Sequence, residues 1–255
     1  MNLNYKTFGE GEPLLILHGL FGSLDNWQTL AKRFAEDFQV FTIDQRNHGK
    51  SPHTEEFSYE IMANDVASFI EQNNLEEPVV LGHSMGGKTS MYLANQFPEL
   101  VGALISVDMA PRVYQPGHNE IFEALFSVEF DRVKSRSDAD EQIADLIPQL
   151  GVRQFLLKNL KRKENGSYEW KFNLPAIHQA YDKMVSEFVE LQKFEKPTLF
   201  IKGENSGYIR DKDEEFIKLI YPNAQVVGIE NAGHWVHAEQ PAIFYNVVID
   251  FLANN

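Results

Sequence analysis

Cysteine is absent from this chain of 255 residues. Without a thiol there can be no disulfide, no thiolate metal ligand and no cysteine nucleophile. Positive charge is also scarce, because 23 lysines and arginines stand against 37 aspartates and glutamates, for a formal net charge of −14. That excess of negative charge argues against nucleic acid or an anionic membrane surface as a partner. A chain without cysteine fits a reducing compartment, and we expect a cytoplasmic protein.

Long apolar runs and biased segments are lacking as well. No stretch approaches the ~20 apolar residues of a membrane-spanning helix. The first six residues lack the charged-then-apolar layout of a secretion signal. There is no internal repeat and no low-complexity tract, and the length allows one large core. We expect a small-molecule substrate, no membrane span, and a monomer or a small homo-oligomer.

Short apolar runs alternate with helical patterns along most of the chain. The runs are hydrophobic at nearly every position, which is typical of parallel strands covered by helices on both faces. Helices are predicted after the capping serine at position 58, after residue 86, and over 213–220 and 242–252. This order predicts a doubly wound α/β sheet. The predicted strands cover residues 14–17, 40–43, 79–81, 103–107, 198–201 and 225–229.

Residues 112–195 interrupt that alternation. Amphipathic helical patterns cover 120–126 and 152–157, and no run reads as a convincing buried strand. A helical insertion between two sheet strands would lie over the carboxyl ends of the strands. We therefore predict a core of residues 1–111 and 196–255 with a small helical cap of residues 112–195.

A serine lies at the turn between a predicted strand and the helix that follows. Residues 82–86 read G-H-S-M-G directly after the apolar run 79–81. In this setting a strained turn pushes the serine hydroxyl out at the top of the sheet, and the flanking glycines avoid collision with the packed helix and strand. We therefore predict Ser84 as a nucleophile.

A serine hydroxyl is a weak nucleophile and needs an adjacent base. His234 is the best candidate, because it lies in the segment N-A-G-H-W directly after the last predicted strand. His237 follows three residues later, but no third ligand of suitable spacing is nearby, so no metal site is predicted.

A carboxylate should orient the imidazole, and three candidates are open. Its usual place is the loop after the strand 198–201, but that loop reads G-E-N-S-G, with Ser206 where aspartate is expected. Asp108 ends the strand next to the serine's strand, and a lone aspartate there would be costly to bury without a partner. Asp108 is therefore the first candidate, with Glu204 and Asp211 as alternatives.

The oxyanion that forms on an attacked carbonyl needs two backbone N–H donors. One is predicted at Met85, at the positive end of the helix after the nucleophile. The other is predicted at Leu20, in the glycine-containing loop H-G-L-F-G of residues 18–22.

The sequence identifies the residues of the substrate pocket less clearly than the catalytic residues. Phe21, Phe122, Phe126 and Trp235 are candidates for lining an apolar acyl pocket, although apolar side chains at helical spacing are more often core. Basic residues are concentrated in the predicted cap, where they either contact the phosphates of an acyl-coenzyme A or form a solvated helix face. These basic residues are Arg132, Lys134, Arg136, Lys161, Arg162 and Lys163.

Four motifs resemble those of the α/β-hydrolase superfamily, in the expected order and over essentially the whole chain. The motif D-Q-R-N-H-G-K-S at 44–51, together with V-D-M-A-P at 107–111 and W-K-F-N-L-P at 170–175, is similar to the esterase branch that contains bacterial YbfF and the ABHD11-like proteins. The four motifs are H-G-L-F-G-S at 18–23, D-Q-R-N-H-G-K-S at 44–51, G-H-S-M-G-G at 82–87 and G-H-W at 233–235.

This resemblance implies the α/β-hydrolase fold, with a mostly parallel central sheet, helices on both faces and a small helical cap. It also implies a cytoplasmic ester or thioester hydrolase that needs no cofactor or metal. Asp108 is then the acid of a triad with Ser84 and His234, in agreement with its position along the chain.

The predicted reaction is a two-step hydrolysis of carboxylic esters of short to medium acyl chains through an acyl enzyme, with acyl-coenzyme A thioesters as candidate substrates. A carbon–carbon bond hydrolase, a lyase or a perhydrolase on the same fold is the alternative. A non-catalytic binding module is the alternative from another class, and it would be expected to lack part of the triad or of the oxyanion loops.

Overall fold

The six predicted strands all form, and they belong to one seven-stranded sheet. The computed structural model describes residues 1–188 and 192–255. Its strands are β1 (Tyr5–Phe8), β2 (Glu12–Leu17), β3 (Phe38–Ile43), β4 (Val79–His83), β5 (Ala103–Val107), β6 (Leu160–Arg162), β7 (Tyr168–Trp170), β8 (Thr198–Gly203) and β9 (Ala224–Ile229).

Helices connect most of these strands. The predicted helix after position 58 is confirmed as Tyr59–Gln72. The Ser58 side chain accepts a hydrogen bond from the Ile61 N–H at 3.3 Å and so caps the first turn. The α-helices are α1 (Gln28–Phe34), α2 (Tyr59–Gln72), α3 (Met85–Gln96), α4 (Asn119–Ser127), α5 (Arg136–Ile143), α6 (Leu150–Leu157), α7 (Leu174–Ser186), α8 (Glu214–Ile220), α9 (Val236–Glu239) and α10 (Pro241–Ala253).

The main sheet is parallel except at one edge. Its order is β1-β3-β2-β4-β5-β8-β9, and β1 alone of these seven strands runs antiparallel, pairing with β3. β1 was not predicted, because its residues Tyr5–Phe8 are mostly exposed and carry no apolar run. The parallel strands bring the loops after β2, β4, β5, β8 and β9 to the same edge of the sheet.

Both faces of the sheet are covered by helices, as predicted. Along β2, Leu15 and Leu17 pack into one apolar cluster, and Leu14 and Ile16 pack into another. Because side chains alternate along a strand, these two clusters lie on opposite faces. The first cluster includes residues of α2 and α3, and the second includes residues of α1 and α10.

The predicted cap contains no strand of the main sheet within its described residues. It holds α4, α5, α6 and α7, together with an antiparallel hairpin of β6 and β7. The hairpin was not predicted, since strands of three residues are too short to show a periodic pattern. Residues 189–191 of the predicted cap lie outside the described residues, and the division into core and cap stays a prediction.

None of the helices in the described ranges combines the length and the apolar character that crossing a membrane requires.

Candidate active site

Ser84 lies at the turn between β4 and α3 in a strained backbone conformation. Its φ of 52° and ψ of −114° place it in a region that non-glycine residues rarely adopt. The glycines around it leave no room for a side chain. A Cβ on Gly82 would lie 2.1 Å from the carbonyl oxygen of Gly86, and one on Gly86 would lie 2.3 Å from that of Leu17. The sharp turn therefore depends on these two glycines.

The structure brings His234 and Asp108 to this serine. The Nε2 atom of His234 lies 3.0 Å from the Ser84 Oγ, and its Nδ1 atom lies 2.7 Å from the Asp108 Oδ2. When Nδ1 carries the proton and donates to the carboxylate, Nε2 is free to accept the serine proton. This is the arrangement of a nucleophile, a base and an orienting acid.

Asp108 is fully buried at the end of β5, with a φ of 49°. Its carboxylate has two further donors. The Gly203 N–H lies 3.2 Å from Oδ1, and the Ser206 hydroxyl lies 2.5 Å from Oδ2. A buried carboxylate needs such partners to remain charged. Ser206, which replaces the aspartate expected in that loop, therefore supports the acid that comes from the neighbouring strand.

The two alternative acids lie elsewhere. Glu204 and Asp211 both approach the ammonium of Lys202, at 3.7 and 2.7 Å. The Asp211 side chain is 94% exposed. Among the hydrogen bonds of the described residues, neither carboxylate has one to His234. The geometry therefore favours Asp108 over both alternatives as the partner of the imidazole.

Two further residues contact His234, one at its ring and one at its backbone carbonyl, and sequence reasoning did not assign Tyr208 this role. The Tyr208 ring stacks on the imidazole with centroids 4.0 Å apart and an interplanar angle of 22°. The His83 Nε2 lies 2.8 Å from the carbonyl oxygen of His234. Burial lowers the pKa of His83 well below its usual value, so the ring is neutral and Nε2–H is its donor to that carbonyl.

The two predicted oxyanion donors flank the nucleophile. Met85 is the first residue of α3, and Leu20 lies in the loop after β2. Both residues line a cavity together with Ser84. In the part of the chain that the structure describes, no protein acceptor bonds to either N–H, which leaves both donors available to a bound carbonyl oxygen.

The loop that carries Leu20 is held by two hydrogen bonds at the next residue, Phe21. Its N–H donates to the His48 Nε2 at 3.2 Å, and its carbonyl accepts from the Asn159 Nδ2 at 2.6 Å. The His48 Nδ1 lies 2.9 Å from the Arg46 carbonyl oxygen and donates to it. Burial lowers the pKa of His48 to about 3, so its Nε2 stays a neutral acceptor. The motif D-Q-R-N-H thus supports the oxyanion loop.

Two cavities meet at Ser84. The larger one, of about 350 Å³, extends along α3 and is lined mainly by apolar side chains such as Met109 and Ile177. The smaller one, of about 220 Å³, is lined by Phe155 and by the catalytic candidate His234. The residues that line both cavities are Leu20, Ser84, His118, Ile121 and Tyr208.

The four residues predicted to line the pocket fall into two groups. Phe21 and Trp235 line the smaller cavity. Phe122 is buried against the Phe21 ring, and Phe126 is 49% exposed; neither lines either cavity. Successive helical residues point about 100° apart, and in α4 it is Ile121 that faces the cavities. The geometry does not place Phe122 and Phe126 at the site.

Three of the six basic residues considered for a phosphate site in the predicted cap are engaged by acids. Arg132 pairs with Glu129 at 2.8 Å, and Lys161 and Lys163 both approach Glu169, at 3.5 and 3.0 Å. This pairing favours a solvated surface over a phosphate site. Among the described residues, no group of three or more histidines, aspartates or glutamates is placed to hold a metal ion.

Comparison with known proteins adds to this geometry. The sequence profile of the family described as "alpha/beta hydrolase fold" matches residues 12–241. The sn-1-specific diacylglycerol lipase ABHD11 of Mus musculus is 39% identical over 248 residues, which cover 94% of this chain and 80% of that protein. Esterase YbfF of Escherichia coli is 35% identical over 230 residues, which cover 90% of this chain and 88% of that protein. A marine microorganism esterase of known structure matches with a TM-score of 0.95 and 44% identity, over 98% of each chain.

Proposed function

The chain belongs to the α/β-hydrolase fold family, in the branch of YbfF and ABHD11, and we propose that it hydrolyses carboxylic esters through an acyl enzyme on Ser84. Its esterase and lipase relatives support ester hydrolysis as the class of reaction. The observation that carries the proposal is the chain of hydrogen bonds from Ser84 through His234 to Asp108, of 3.0 and 2.7 Å.

In the first step the Ser84 Oγ attacks the acyl carbon while the His234 Nε2 takes the hydroxyl proton. Asp108 stabilises the imidazolium that results, because its carboxylate accepts the Nδ1–H. The negative charge that develops on the carbonyl oxygen is held by the N–H groups of Leu20 and Met85. The carbon–oxygen bond to the alcohol then breaks, and His234 gives its proton to the leaving oxygen.

The need for that proton transfer indicates which part of the substrate each of the two cavities holds. The leaving group must face His234, which lines the smaller cavity, so the alcohol lies there beside Trp235. The acyl chain then extends into the larger cavity along α3. Water enters the site of the departed alcohol, loses a proton to His234 and attacks the acyl enzyme, which frees Ser84.

The larger cavity suits acyl chains of short to medium length, since its volume of about 350 Å³ is at the low end of small-molecule sites. Thioesters belong to the proposed substrates because the same steps release a thiol in place of an alcohol. A cytoplasmic location and a monomeric or small oligomeric state stay predictions.

Labelling with a fluorophosphonate tests the nucleophile. We expect one equivalent to react with the wild type and none with Ser84→Ala, because the reagent needs an activated serine. A wild type that is folded and does not react would contradict the proposal and indicate an inert member of the fold. Labelling without turnover of any ester in a series of increasing acyl length would instead indicate another reaction on the same triad.

Substitution of Asp108 tests the acid. Asp108→Asn is expected to lower kcat by roughly 10⁴-fold with little change in melting temperature, because the imidazole loses its orienting charge. Asp211→Asn is the matched control, because this exposed carboxylate lies at Lys202 and should leave kcat unchanged. An active Asp108→Asn enzyme would remove Asp108 from the proposed mechanism.

A further inference from the structure

A nearly inaccessible lysine lines the larger cavity one helical turn after the nucleophile. Lys88 lies on α3, and only 1% of its surface is exposed. Of the described residues that line this cavity, it is the only lysine, arginine or carboxylate. A single enclosed ammonium among methionine, isoleucine and valine side chains calls for an explanation, since buried charges are normally paired.

The ammonium of Lys88 has no acidic partner in residues 1–188 and 192–255. Its Nζ donates to the Arg112 carbonyl oxygen and lies 3.7 Å from the centroid of the Phe188 ring and 5.3 Å from that of Tyr114. An ammonium has three donors, and one carbonyl oxygen engages only one of them. The two rings attract a cation but do not neutralise it.

The lack of an acidic partner among the described residues affects the protonation of Lys88. Burial, together with the nearby charge of Arg112, lowers the pKa of Lys88 to about 7. A carboxylate bound in the cavity would favour the charged form and offset much of the cost of burying it. The enclosed site thus favours an anionic ligand.

Lys88 and the nucleophile line the same cavity, to which the acyl chain is assigned. Residues four apart lie on the same face of a helix, and Lys88 and Ser84 both line the larger cavity. The two residues are four apart, and four residues of an α-helix rise about 6 Å along its axis.

We propose that Lys88 selects acyl groups that end in a carboxylate, which makes half-esters of short dicarboxylic acids the favoured substrates. This inference rests on the proposed ester hydrolysis and on the assignment of the acyl chain to the larger cavity. Acyl groups of about four to six carbons fit a cavity at the low end of small-molecule sites.

Matched substrates test this selection. Ethyl hydrogen glutarate and ethyl pentanoate have acyl chains of equal carbon number and differ in the terminal carboxylate. We expect the wild type to prefer the half-ester by at least 10-fold in kcat/KM. Lys88→Met keeps an unbranched side chain of similar length and removes its charge, so it should abolish the preference: kcat/KM for ethyl hydrogen glutarate should fall to the value for ethyl pentanoate measured with the same variant.

Lys202→Met is the matched control, because Lys202 is also enclosed, at 9% exposure, but pairs with acids and lines neither cavity. It should keep the wild-type preference. If the wild type hydrolyses ethyl pentanoate at least as well as the half-esters of C4 to C6 diacids, the selection by Lys88 is wrong and ester hydrolysis stands. If Lys88→Met keeps the preference, Lys88 is only a tie between α3 and the Arg112 segment.

The wild-type comparison needs no variant, so it decides the matter even when Lys88→Met does not fold. If the wild type hydrolyses no ester of either kind, the proposed function itself fails, and the selection by Lys88 fails with it.

Discussion

At the scale of single residues, the acid of the site is held by a hydroxyl group. The Ser206 hydroxyl donates to the same Asp108 oxygen that accepts from His234, and Ser206 follows β8 while Asp108 follows β5. The loop in which the acid is usually found therefore provides a hydrogen-bond donor to a carboxylate on the neighbouring strand. This arrangement fixes the direction of the carboxylate towards the imidazole.

Ser206→Ala should lower kcat by roughly 10-fold, because a hydrogen bond to a buried charged group is worth about 1.5–3 kcal/mol. The loss should appear in kcat more than in KM, since Ser206 acts through Asp108 and lines neither cavity. Steady-state kinetics with one neutral ester measure both constants. Ser206→Thr, which keeps the hydroxyl, should recover much of the activity. Equal kcat values for Ser206→Ala and the wild type would show that Gly203 and His234 suffice to hold Asp108.

Local patterns in the sequence were enough to nominate Ser84, His234 and Asp108, because each directly follows an apolar strand. They ranked Asp108 first among the possible acids but left Glu204 and Asp211 open as alternatives. That choice depends on which loops meet in space. Tyr208 and Lys88 were not recognised for the same reason, since a ring stacked on the imidazole and an ammonium with no acid beside it in the described residues are visible only after folding.

At the scale of elements, the strand-to-helix turn from β4 to α3 is the most constrained part of the site. Gly82→Ala would place a methyl group 2.1 Å from a backbone carbonyl that cannot move without displacing α3. We expect a loss of about 2–3 kcal/mol in the free energy of unfolding, measured with urea. Gly151→Ala in α6 is the matched control, because no atom lies within 4 Å of its added Cβ. It should be neutral or stabilise by about 0.5–1 kcal/mol. A similar loss in both variants would contradict this steric explanation.

The predicted cap and the core are linked at the oxyanion loop. Asn159, just before β6, is fully buried, and its amide donates to the carbonyl of Phe21 beside Leu20. Asn159→Ala should therefore lower kcat by roughly 10-fold and slow fluorophosphonate labelling, because both depend on the oxyanion donors. Asn165→Ala, in the exposed turn of the same hairpin, should change neither rate. A lower melting temperature with unchanged labelling would indicate that Asn159 only stabilises the fold.

The elements that sequence reasoning missed share a physical cause. β1 is an exposed edge strand, and β6 and β7 have three residues each, so none of them has a buried face long enough to impose a period on the sequence. The buried parallel strands were found because helices on both faces require apolar residues at successive positions. Burial, rather than strand formation itself, produced the signal.

At the scale of the whole molecule, the fold encloses several histidines in uncharged form around the carboxyl edge of the sheet. Burial lowers the pKa of His18 to about 4, and the pKa values of His48 and His237 to about 3. His48 accepts a hydrogen bond from the Phe21 N–H in the oxyanion loop, and His18 accepts one from the Gln45 N–H in the motif at 44–51. His237 stacks on Trp27 with centroids 4.1 Å apart. The packing that supports the site is thus built on rings that must stay neutral.

This arrangement predicts a loss of stability in mild acid. In the unfolded chain these histidines take up protons near pH 6.5, whereas in the folded chain they do so only near pH 3–4. The free energy of unfolding is therefore highest above pH 6.5 and decreases as the pH drops below that value. The decrease due to these histidines ends near pH 3, where the folded chain also takes up the protons. At pH 5 each of these histidines costs about 2 kcal/mol, and urea unfolding at pH 7.5, 6 and 5 measures the sum. His237→Phe preserves an aromatic stack on Trp27 and should reduce the slope between pH 6 and 5 by about one proton. A free energy of unfolding that stays constant from pH 7.5 to 5 would contradict the neutral burial of these rings.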